Sequence, residues 1–309
     1  MAYSRYRRKP RRSYRKSGPK RRSSARPSRY TGRTRRYTRK RPMSKKSVLN
    51  TTSRKKRNGM LTWSNTTNTG ASTTVGQQNV FVNAAVGGLF LWCPTAMSLD
   101  AASVIPNRAS RTASTCYMRG LSEHLRIQTS SGVPWFHRRI CFTIRGSDPF
   151  DEYAPDDPAP TQRQFPYIDT SNGIERLFFN ANINSMNNTV GRWVSILFKG
   201  VIQKDWNDYI VAPVDTTRVT LKFDKTWTLQ SGNSNGVVRE RKLWHPMNKN
   251  LIYDDDENGD VQTPFYHSTT AKGGMGDYYV MDFIQSGAGG TSSDIMQITA
   301  NSSLYWHEK

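Results

Sequence analysis

The sequence predicts an all-β fold, and three observations indicate it. Several segments alternate apolar and polar residues with a period of two, which is typical of half-buried strands. No long segment carries apolar residues at the 3.6-residue period of an amphipathic helix. The connections between the alternating segments are long and rich in Gly, Pro, Asn and Asp, as is common between strands.

Period-two alternation and apolar runs predict eight strands. In one of the clearest segments, Ile140 and Phe142 fall on one face, which we expect to be buried, and His137 and Arg139 fall on the other. The eight segments are residues 79–92, 121–129, 135–145, 193–202, 218–230, 237–246, 277–285 and 295–306.

Two of these segments, 193–202 and 277–285, are almost continuously apolar and are predicted to be central strands. Short helices are predicted at 173–185 and 204–209. Eight strands joined by loops as long as 147–191 predict an eight-stranded antiparallel jelly-roll β-sandwich with long loops. An immunoglobulin-like sandwich is the alternative, but that fold usually has fewer residues and shorter loops.

Positive charge divides the chain into two predicted domains. The 309 residues include 46 Lys+Arg and 23 Asp+Glu, a formal net charge of +23. Met1 to Arg57 contains 25 of the basic residues and no acidic one, which leaves 21 basic against 23 acidic residues in the remainder. We therefore expect a disordered Arg-rich arm at residues 1–58 and a jelly-roll domain at residues 59–309.

The arm is expected to bind single-stranded nucleic acid. Guanidinium groups form forked hydrogen bonds to phosphate, and tyrosine rings between them can stack on unpaired bases. The predicted contacts are Arg5, Arg7, Arg8, Lys9, Arg11, Arg12, Arg15, Lys20, Arg21, Arg22, Arg33, Arg35, Arg36 and Arg39, with Tyr6, Tyr14 and Tyr37 among them. Binding through phosphates predicts strong salt dependence and little sequence specificity.

A second motif overlaps the end of the arm and has the spacing of a bipartite nuclear-import signal. Its basic residues are Lys40 and Arg41, followed after a spacer by Arg54, Lys55, Lys56 and Arg57. Host nuclear-import receptors are therefore predicted partners. The alternative is that so basic a segment matches the spacing by chance.

Metal and cofactor sites are not expected. Asp254, Asp256 and Asn258 begin a calcium-loop pattern, but Phe265 stands where that loop needs Glu. An exposed acidic loop is the preferred interpretation, and calcium at residues 254–260 stays open. A zinc set could be drawn from Cys116, His124, His137 and Cys141, but the spacing fits no standard zinc motif.

The remaining composition argues against an enzyme, a secreted disulfide protein and a membrane protein. The only local groupings of catalytic residue types are Glu123 with His124 and Asp205 with Asp208, and no nucleophile or phosphate-loop motif accompanies them. The three cysteines include no Cys-x-x-Cys pair, which favours free thiols and a reducing compartment. No run of eighteen apolar residues is present, so we expect no membrane contact.

Four segments together resemble the coat proteins of genomoviruses, which are small viruses with circular single-stranded DNA, and more distantly those of geminiviruses. They are MAYSRYRRKPRRSYRK (residues 1–16), YMRGLSEHLRIQT (117–129), VPWFHRRICF (133–142) and DWNDYIVAPVDTTRVTLKFDKTWTL (205–229). The likeness covers most of the chain, and its most specific part is the pair of strands within residues 121–142.

The resemblance implies a jelly-roll subunit of a small icosahedral shell that packages a circular single-stranded DNA genome. It also implies many copies of the chain, about sixty per shell, with inward-facing arms and assembly in the host nucleus before release as a virion. Sixty arms would supply about 1,500 positive charges, which suits a genome on the order of two thousand nucleotides. The main alternative is a viral nuclear-shuttle or movement protein that binds single-stranded DNA without forming a shell.

Overall fold

A computed structural model describes residues 42–100, 109–146, 150–158 and 163–309 of the chain. The chain divides into two units, Met1–Ser44 and Lys45–Lys309, and the second unit is described below. The predicted arm contacts from Arg5 to Arg39 lie outside the described residues, as do Lys40 and Arg41.

The described residues form sixteen strands and few helices. In chain order the elements are α1 (Lys45–Thr52), β1 (Arg54–Met60), β2 (Thr62–Thr66), β3 (Ser72–Gln77), β4 (Val80–Asn83), β5 (Gly88–Trp92), β6 (Thr115–Thr129), β7 (Trp135–Ile144), β8 (Asp169–Thr170), β9 (Gly173–Ile174), β10 (Arg176–Phe178), a 3-10 helix (Ala181–Ile183), α2 (Asn187–Leu197), β11 (Thr220–Leu229), β12 (Val238–Ile252), β13 (Asp256–Asn258), β14 (Val261–Thr263), β15 (Asp277–Ser286) and β16 (Ile295–Glu308).

Two antiparallel sheets form the body of this unit. The first sheet has the strand order β1-β16-β6-β12, with β4 also paired to β16, and the second has the order β11-β7-β15-β5. Smaller sheets are β10-β2-β3, β13-β14 and β8-β9. The prediction of a mainly antiparallel all-β fold is confirmed.

The two large sheets share their apolar cores, as the layers of a β-sandwich do. Leu125 and Ile127 of β6 pack in one cluster with Trp135 of β7 and Ile284 of β15. A larger cluster likewise joins residues of both sheets, including Trp306 of β16. Inward and outward residues alternate along β6 and β16, so the first sheet buries one face and exposes the other.

The two central strands of the second sheet, β7 and β15, are buried on both faces, which corrects the face assignment made from sequence for β7. Ile140 and Phe142 are buried as predicted, but His137 and Arg139 are buried too, at 1% and 0% exposure. The face carrying Phe142 packs under the long connection after β7, where the Phe142 and Phe150 ring centroids lie 5.4 Å apart. The opposite face, which carries His137 and Arg139, meets the first sheet.

Three further element predictions are wrong. The first half of the apolar segment 193–202 lies in α2, whose buried Val190, Trp193, Val194 and Leu197 recur at helical spacing, and the second half forms no strand. The helix predicted at 173–185 is replaced by β9, β10 and the short 3-10 helix. The helix predicted at 204–209 is a turn region, in which the Gln203 amide donates to the Trp206 carbonyl at 2.8 Å.

The second unit begins at Lys45, whereas the sequence placed the boundary between arm and domain at residue 58. Residues 54–60 form β1, which pairs antiparallel with β16 along its whole length. Lys56 faces inward, where its ammonium lies 2.8 Å from the Glu308 carboxylate and donates to the Ser110 carbonyl at 2.7 Å. The basic run after α1 is therefore a strand whose one buried charge is paired.

A buried cluster of four charges joins the two sheets. Arg139 of β7 donates twice to Asp282 of β15, at 2.7 and 2.9 Å, and also to Glu123 of β6. Arg176 of β10 donates to the same two carboxylates, each at 3.0 Å. All four side chains are almost completely buried. Two positive and two negative charges balance, so no net charge is buried.

Aromatic rings and hydroxyls complete the surroundings of this cluster. The Arg176 guanidinium carbon lies 4.1 Å from the Trp92 ring centre and 3.7 Å from that of Phe178. Ser302 donates to Glu123 at 3.1 Å. Burial alone would raise the pKa of Glu123, but the neighbouring guanidinium groups outweigh burial and lower that pKa.

Two histidines border the cluster in their neutral form. His137 Nδ1 lies 2.7 Å from an Arg241 nitrogen and must accept, so its Nε2–H donates to Asp282 at 2.8 Å. Burial lowers the pKa of His137. Burial and the nearby Arg139 lower the pKa of His245 to about 4.

Replacing one arginine of the cluster will strongly destabilise the fold. Arg139→Met leaves two buried carboxylates with one guanidinium, and we expect the free energy of unfolding to fall by about 3–5 kcal/mol. Arg126→Met is the matched control, because Arg126 pairs with Glu240 at the exposed surface, where such pairs contribute about 0–1 kcal/mol. Urea unfolding measures both variants, and equal losses would contradict a stabilising role for the cluster.

Stability will fall as the pH drops from about 6.5 to about 4, in part through His245. In this range the unfolded histidine takes up a proton and the folded one does not, so acid favours the unfolded chain by about 3 kcal/mol at the lower limit. His245→Gln cannot titrate, so its unfolding free energy should change less over this range. Parallel slopes for the two proteins would show that His245 titrates normally in the fold.

Candidate nucleic-acid interface

The exposed face of the first sheet carries aromatic and basic side chains together. Along each of its strands, every second residue points into the core and leaves its neighbours facing outward. Outward positions on the four strands from β1 to β12 form a set that we call the aromatic–basic face. It consists of Lys55, Arg57, Tyr117, Arg119, Trp244, Tyr305 and His307.

One row of this face crosses the sheet from β12 to β1. The ring centroids of Trp244 and Tyr305 are 5.9 Å apart, and the Arg57 guanidinium carbon lies 5.6 Å from the Tyr305 ring centre. Arg57 is held by a hydrogen bond to the Ser303 hydroxyl at 3.0 Å. Gly120 leaves room for the indole, because a Cβ there would lie 2.7 Å from the Trp244 ring.

A second row lies beside the first. Tyr117 and His307 have ring centroids 6.0 Å apart, and Lys55 is the β1 partner of His307. Partial burial, Arg119 and Lys55 lower the pKa of His307. The imidazole is therefore neutral at pH 7 and presents a flat, uncharged ring between cations.

The cations of this face have no carboxylate partners among the described residues. Lys55, Arg57 and Arg119 form no ion pair there, since Glu308 points inward to Lys56. Further along the same face, Glu240 is occupied by Arg126 at 3.2 Å and His124 at 3.4 Å. The three free cations leave a local positive charge that an anionic ligand can neutralise.

This chemistry matches what single-stranded nucleic acid requires. Unpaired bases stack on aromatic side chains, and the backbone phosphates bind nearby lysine and arginine. Trp244 is 50% exposed, so a large part of its ring is open to stack on a base. A flat sheet face with several such rings favours a single strand over a duplex, whose bases are already stacked.

The predicted import residues on β1 are only partly exposed. Arg54, Lys55 and Arg57 face solvent, whereas Lys56 is 5% exposed and paired with Glu308. A receptor could contact all four side chains only if β1 separated from β16. Because Lys56 is buried and paired, it is not available to a receptor in this fold, which corrects the predicted set of import residues. Nuclear import itself stays a prediction.

Sequence reasoning missed the aromatic residues of this face. Trp244, Tyr305 and Tyr117 come from three strands that are far apart in the sequence, and only the sheet brings them together. The usable signal was the presence of aromatic rings at the polar positions of alternating strands. Such positions normally carry small or charged residues when they only face water.

The weaker site candidates are not assembled by the fold. Residues 256–263 form the β13-β14 hairpin, and Asp255 is engaged by Arg111, so this segment is not built as a calcium loop. Cys116 lies beside Glu308 and Cys141 lies 3.9 Å from His245, so the proposed zinc set does not converge. All three cysteines are free and buried.

The two groupings of catalytic residue types have structural roles. Glu123 is buried in the charge cluster, while His124 is exposed on the opposite face of β6. Asp205 accepts from the Val201 amide at 2.7 Å and Asp208 from the Ile210 amide at 2.8 Å, so both carboxylates close turns.

Comparison with known proteins gives no assignment: no protein-family model matches the sequence, and no curated protein is significantly similar to it. The two α-helices of the described residues have eight and eleven residues, and neither could cross a membrane.

Removing the Trp244 ring will weaken binding of single-stranded DNA. In protein lacking residues 2–41, so that the arm does not mask the effect, we expect Trp244→Ala to bind oligo(dT) about tenfold more weakly. Phe165→Ala is the matched control, since Phe165 is similarly exposed at 52% but lies outside the aromatic–basic face. Fluorescence anisotropy measures both, and equal affinities for the two variants would exclude this face as a base-stacking surface.

Proposed function

We propose that this protein is the coat protein of a small single-stranded DNA virus of the genomovirus type. In this proposal, many copies assemble into an icosahedral shell, and the basic arm packages the circular genome. The observation that carries the proposal is the combination of a highly basic arm with an antiparallel β-sandwich whose strand order is compatible with a jelly roll. The aromatic–basic face adds a second site for the same ligand.

The strand order of the two sheets supports the jelly roll. Apart from β4, the two large sheets contain eight strands, which are in chain order β1, β5, β6, β7, β11, β12, β15 and β16. The first sheet places the first, eighth, third and sixth of them side by side, and the second sheet places the second, seventh, fourth and fifth. This interleaving follows from folding two Greek keys onto each other, which gives a jelly roll. Of the remaining strands, β4 pairs with β16, and the others form the three smaller sheets.

Charge supports the assignment of the genome as the ligand. The arm has no acidic residue, so it requires a polyanion to reduce its self-repulsion. The DNA would in turn hold many arms close together, which couples packaging to assembly. On the folded domain, the unpaired cations of the aromatic–basic face continue the same chemistry from Arg57 to Arg119.

A nuclear-shuttle or movement protein is the second candidate, because it would also bind single-stranded DNA and enter nuclei. It would not form a closed shell. The absence of an assembled catalytic grouping among the residues described above gives no support to an enzyme.

Electron microscopy of the purified full-length protein tests the proposal directly. A coat protein should give uniform closed particles, and nucleic acid extracted from them should be sensitive to DNase and to a single-strand-specific nuclease, and resistant to RNase. Protein that binds single-stranded DNA but forms no particles under any assembly condition would favour the shuttle protein instead.

Deleting residues 2–41 should leave a folded domain that no longer retains DNA at moderate salt. The deletion removes 19 of the 25 arm charges, so the salt dependence of the remaining affinity should be much shallower. The control is the triple variant Tyr6→Ser, Tyr14→Ser and Tyr37→Ser, which keeps every charge and should keep the salt slope while losing affinity. Packaging by the deleted protein at moderate salt would contradict the role of the arm.

A further inference from the structure

We infer that Cys93, His267 and Asp277 bind a zinc ion that braces the second sheet to its long loops. The Cys93 sulfur, a His267 ring nitrogen and an Asp277 carboxylate oxygen all lie within 4.8 Å of one another. The inference concerns the folded domain and does not depend on the proposed function. Among the residues that the structure describes, this is the one group of its kind.

The donors are those that zinc uses in proteins. A thiolate, an imidazole and a carboxylate form a mixed soft and hard set, which suits zinc better than calcium or magnesium. His267 Nδ1 lies 3.8 Å from Asp277 Oδ2, close to the separation of two ligands on one tetrahedral ion. Only small side-chain movements are needed to bring the three donors to bonding distance.

Two of the three donors, His267 and Asp277, also have a partner of the kind that supports a metal ligand. Asp151 Oδ2 lies 2.6 Å from His267 Nε2, on the far side of the ring from Asp277. Asp277 accepts from the Ser268 amide at 2.9 Å and from its hydroxyl at 2.7 Å. A carboxylate behind the histidine and hydrogen bonds to the ligating carboxylate are the usual outer contacts of zinc sites.

Protein contacts alone leave this group incompletely satisfied. Among the described residues, neither ring nitrogen of His267 has a well-aligned hydrogen bond, and Asp151 Oδ1 has no partner, although these atoms are buried. Two carboxylates and a thiol therefore surround a single imidazole. A divalent cation would balance these groups and give the imidazole Nδ1 a partner.

The protons can be followed through the binding step. Zinc would displace the proton of the Cys93 thiol and, from a protonated ring, the proton on His267 Nδ1. Both protons would leave to solvent, and zinc would accept the lone pair of Nδ1. The proton of the imidazole would then remain on Nε2 and be donated to Asp151. Metal affinity should therefore increase with pH until the thiol and the imidazole have lost the protons that compete with zinc.

A nucleophilic Cys-His-Asp arrangement is the first alternative, and burial argues against it. Cys93 is 0% exposed, so no substrate could reach its sulfur. Burial also raises the pKa of the Cys93 thiol, the opposite of what a reactive cysteine needs.

A metal-free ion pair is the second alternative. Burial opposes protonation of His267, but the contacts with Asp151 and Asp277 outweigh it and raise the pKa of the ring. A protonated His267 between two carboxylates would need no metal, and it would compete with zinc for Nδ1. Measuring the zinc content of the purified protein distinguishes the zinc-bound site from the metal-free ion pair.

The site would connect three separate parts of the chain, around Cys93, around Asp151 and from His267 to Asp277. Cys93 follows the last residue of β5, and Asp277 is the first residue of β15, its sheet neighbour. His267 lies in the connection that precedes β15, and Asp151 lies in the long connection after β7. Because His267 and Asp151 lie in connections outside the two large sheets, a metal would restrict the opening of these connections.

Metal content and cobalt substitution of the full-length protein test the site. Protein purified without chelator should hold about one zinc per chain, and cobalt added to stripped protein should give a thiolate-to-cobalt charge-transfer band. Cys93→Ser should lose this band and bind zinc at least tenfold more weakly. Cys141→Ser is the matched control, since Cys141 is equally buried but lies beside His245.

A second variant covers the case in which Cys93→Ser fails to fold. His267→Gln keeps a hydrogen-bonding side chain and should also reduce zinc affinity, and circular dichroism establishes that each variant is folded. Chelator should lower the Tm of wild type and Cys141→Ser, but not that of Cys93→Ser or His267→Gln. Wild-type protein that binds neither zinc nor cobalt would overturn the inference, as would Cys93→Ser protein with unchanged affinity.

Discussion

The packing of this domain depends on the neutral cluster of Glu123, Arg139, Asp282 and Arg176. Charges buried this deeply are tolerated only when each one has its partner in place. The two partners of Arg139 come from different sheets, Glu123 from the first and Asp282 from the second. A shift of either sheet by one residue would turn a charge toward apolar neighbours. The cluster therefore favours one alignment of the two sheets. The apolar cores on either side of it would tolerate other alignments more readily, because apolar contacts are less specific than paired charges.

Seven of the eight segments predicted as strands contain a strand, whereas β1 was not predicted and residues 193–202 form no strand. The surroundings of the strands were predicted less well. Alternation located residues 135–145 correctly but assigned His137 and Arg139 to solvent, because a pattern of polar residues does not reveal whether charges are compensated from another strand. The apolar segment that became α2 was ambiguous for a related reason. A continuously apolar run fits a central strand and a buried helix equally, and the packing of Trp193 and Leu197 decided between them.

The candidate functional residues also differ in whether the sequence alone could predict them. Composition alone could predict a nucleic-acid-binding arm, because 25 basic residues without an acidic one need no structure to be recognised. The aromatic–basic face could not be found like this, since Trp244 and Tyr305 meet only through the order β16-β6-β12. The same holds for Cys93, His267 and Asp277, whose sequence spacing matches no metal motif. These residues meet through contacts between distant strands, and a single sequence does not reveal such contacts.

The pairing of β1 with β16 has a practical consequence for protein engineering. Arg54 lies opposite Glu308, so the strand that follows the arm and the strand that ends at the last residues of this sequence are neighbours at one corner of the domain. A peptide or enzyme fused after Lys309 would therefore leave the fold beside the point where the N-terminal segment enters it.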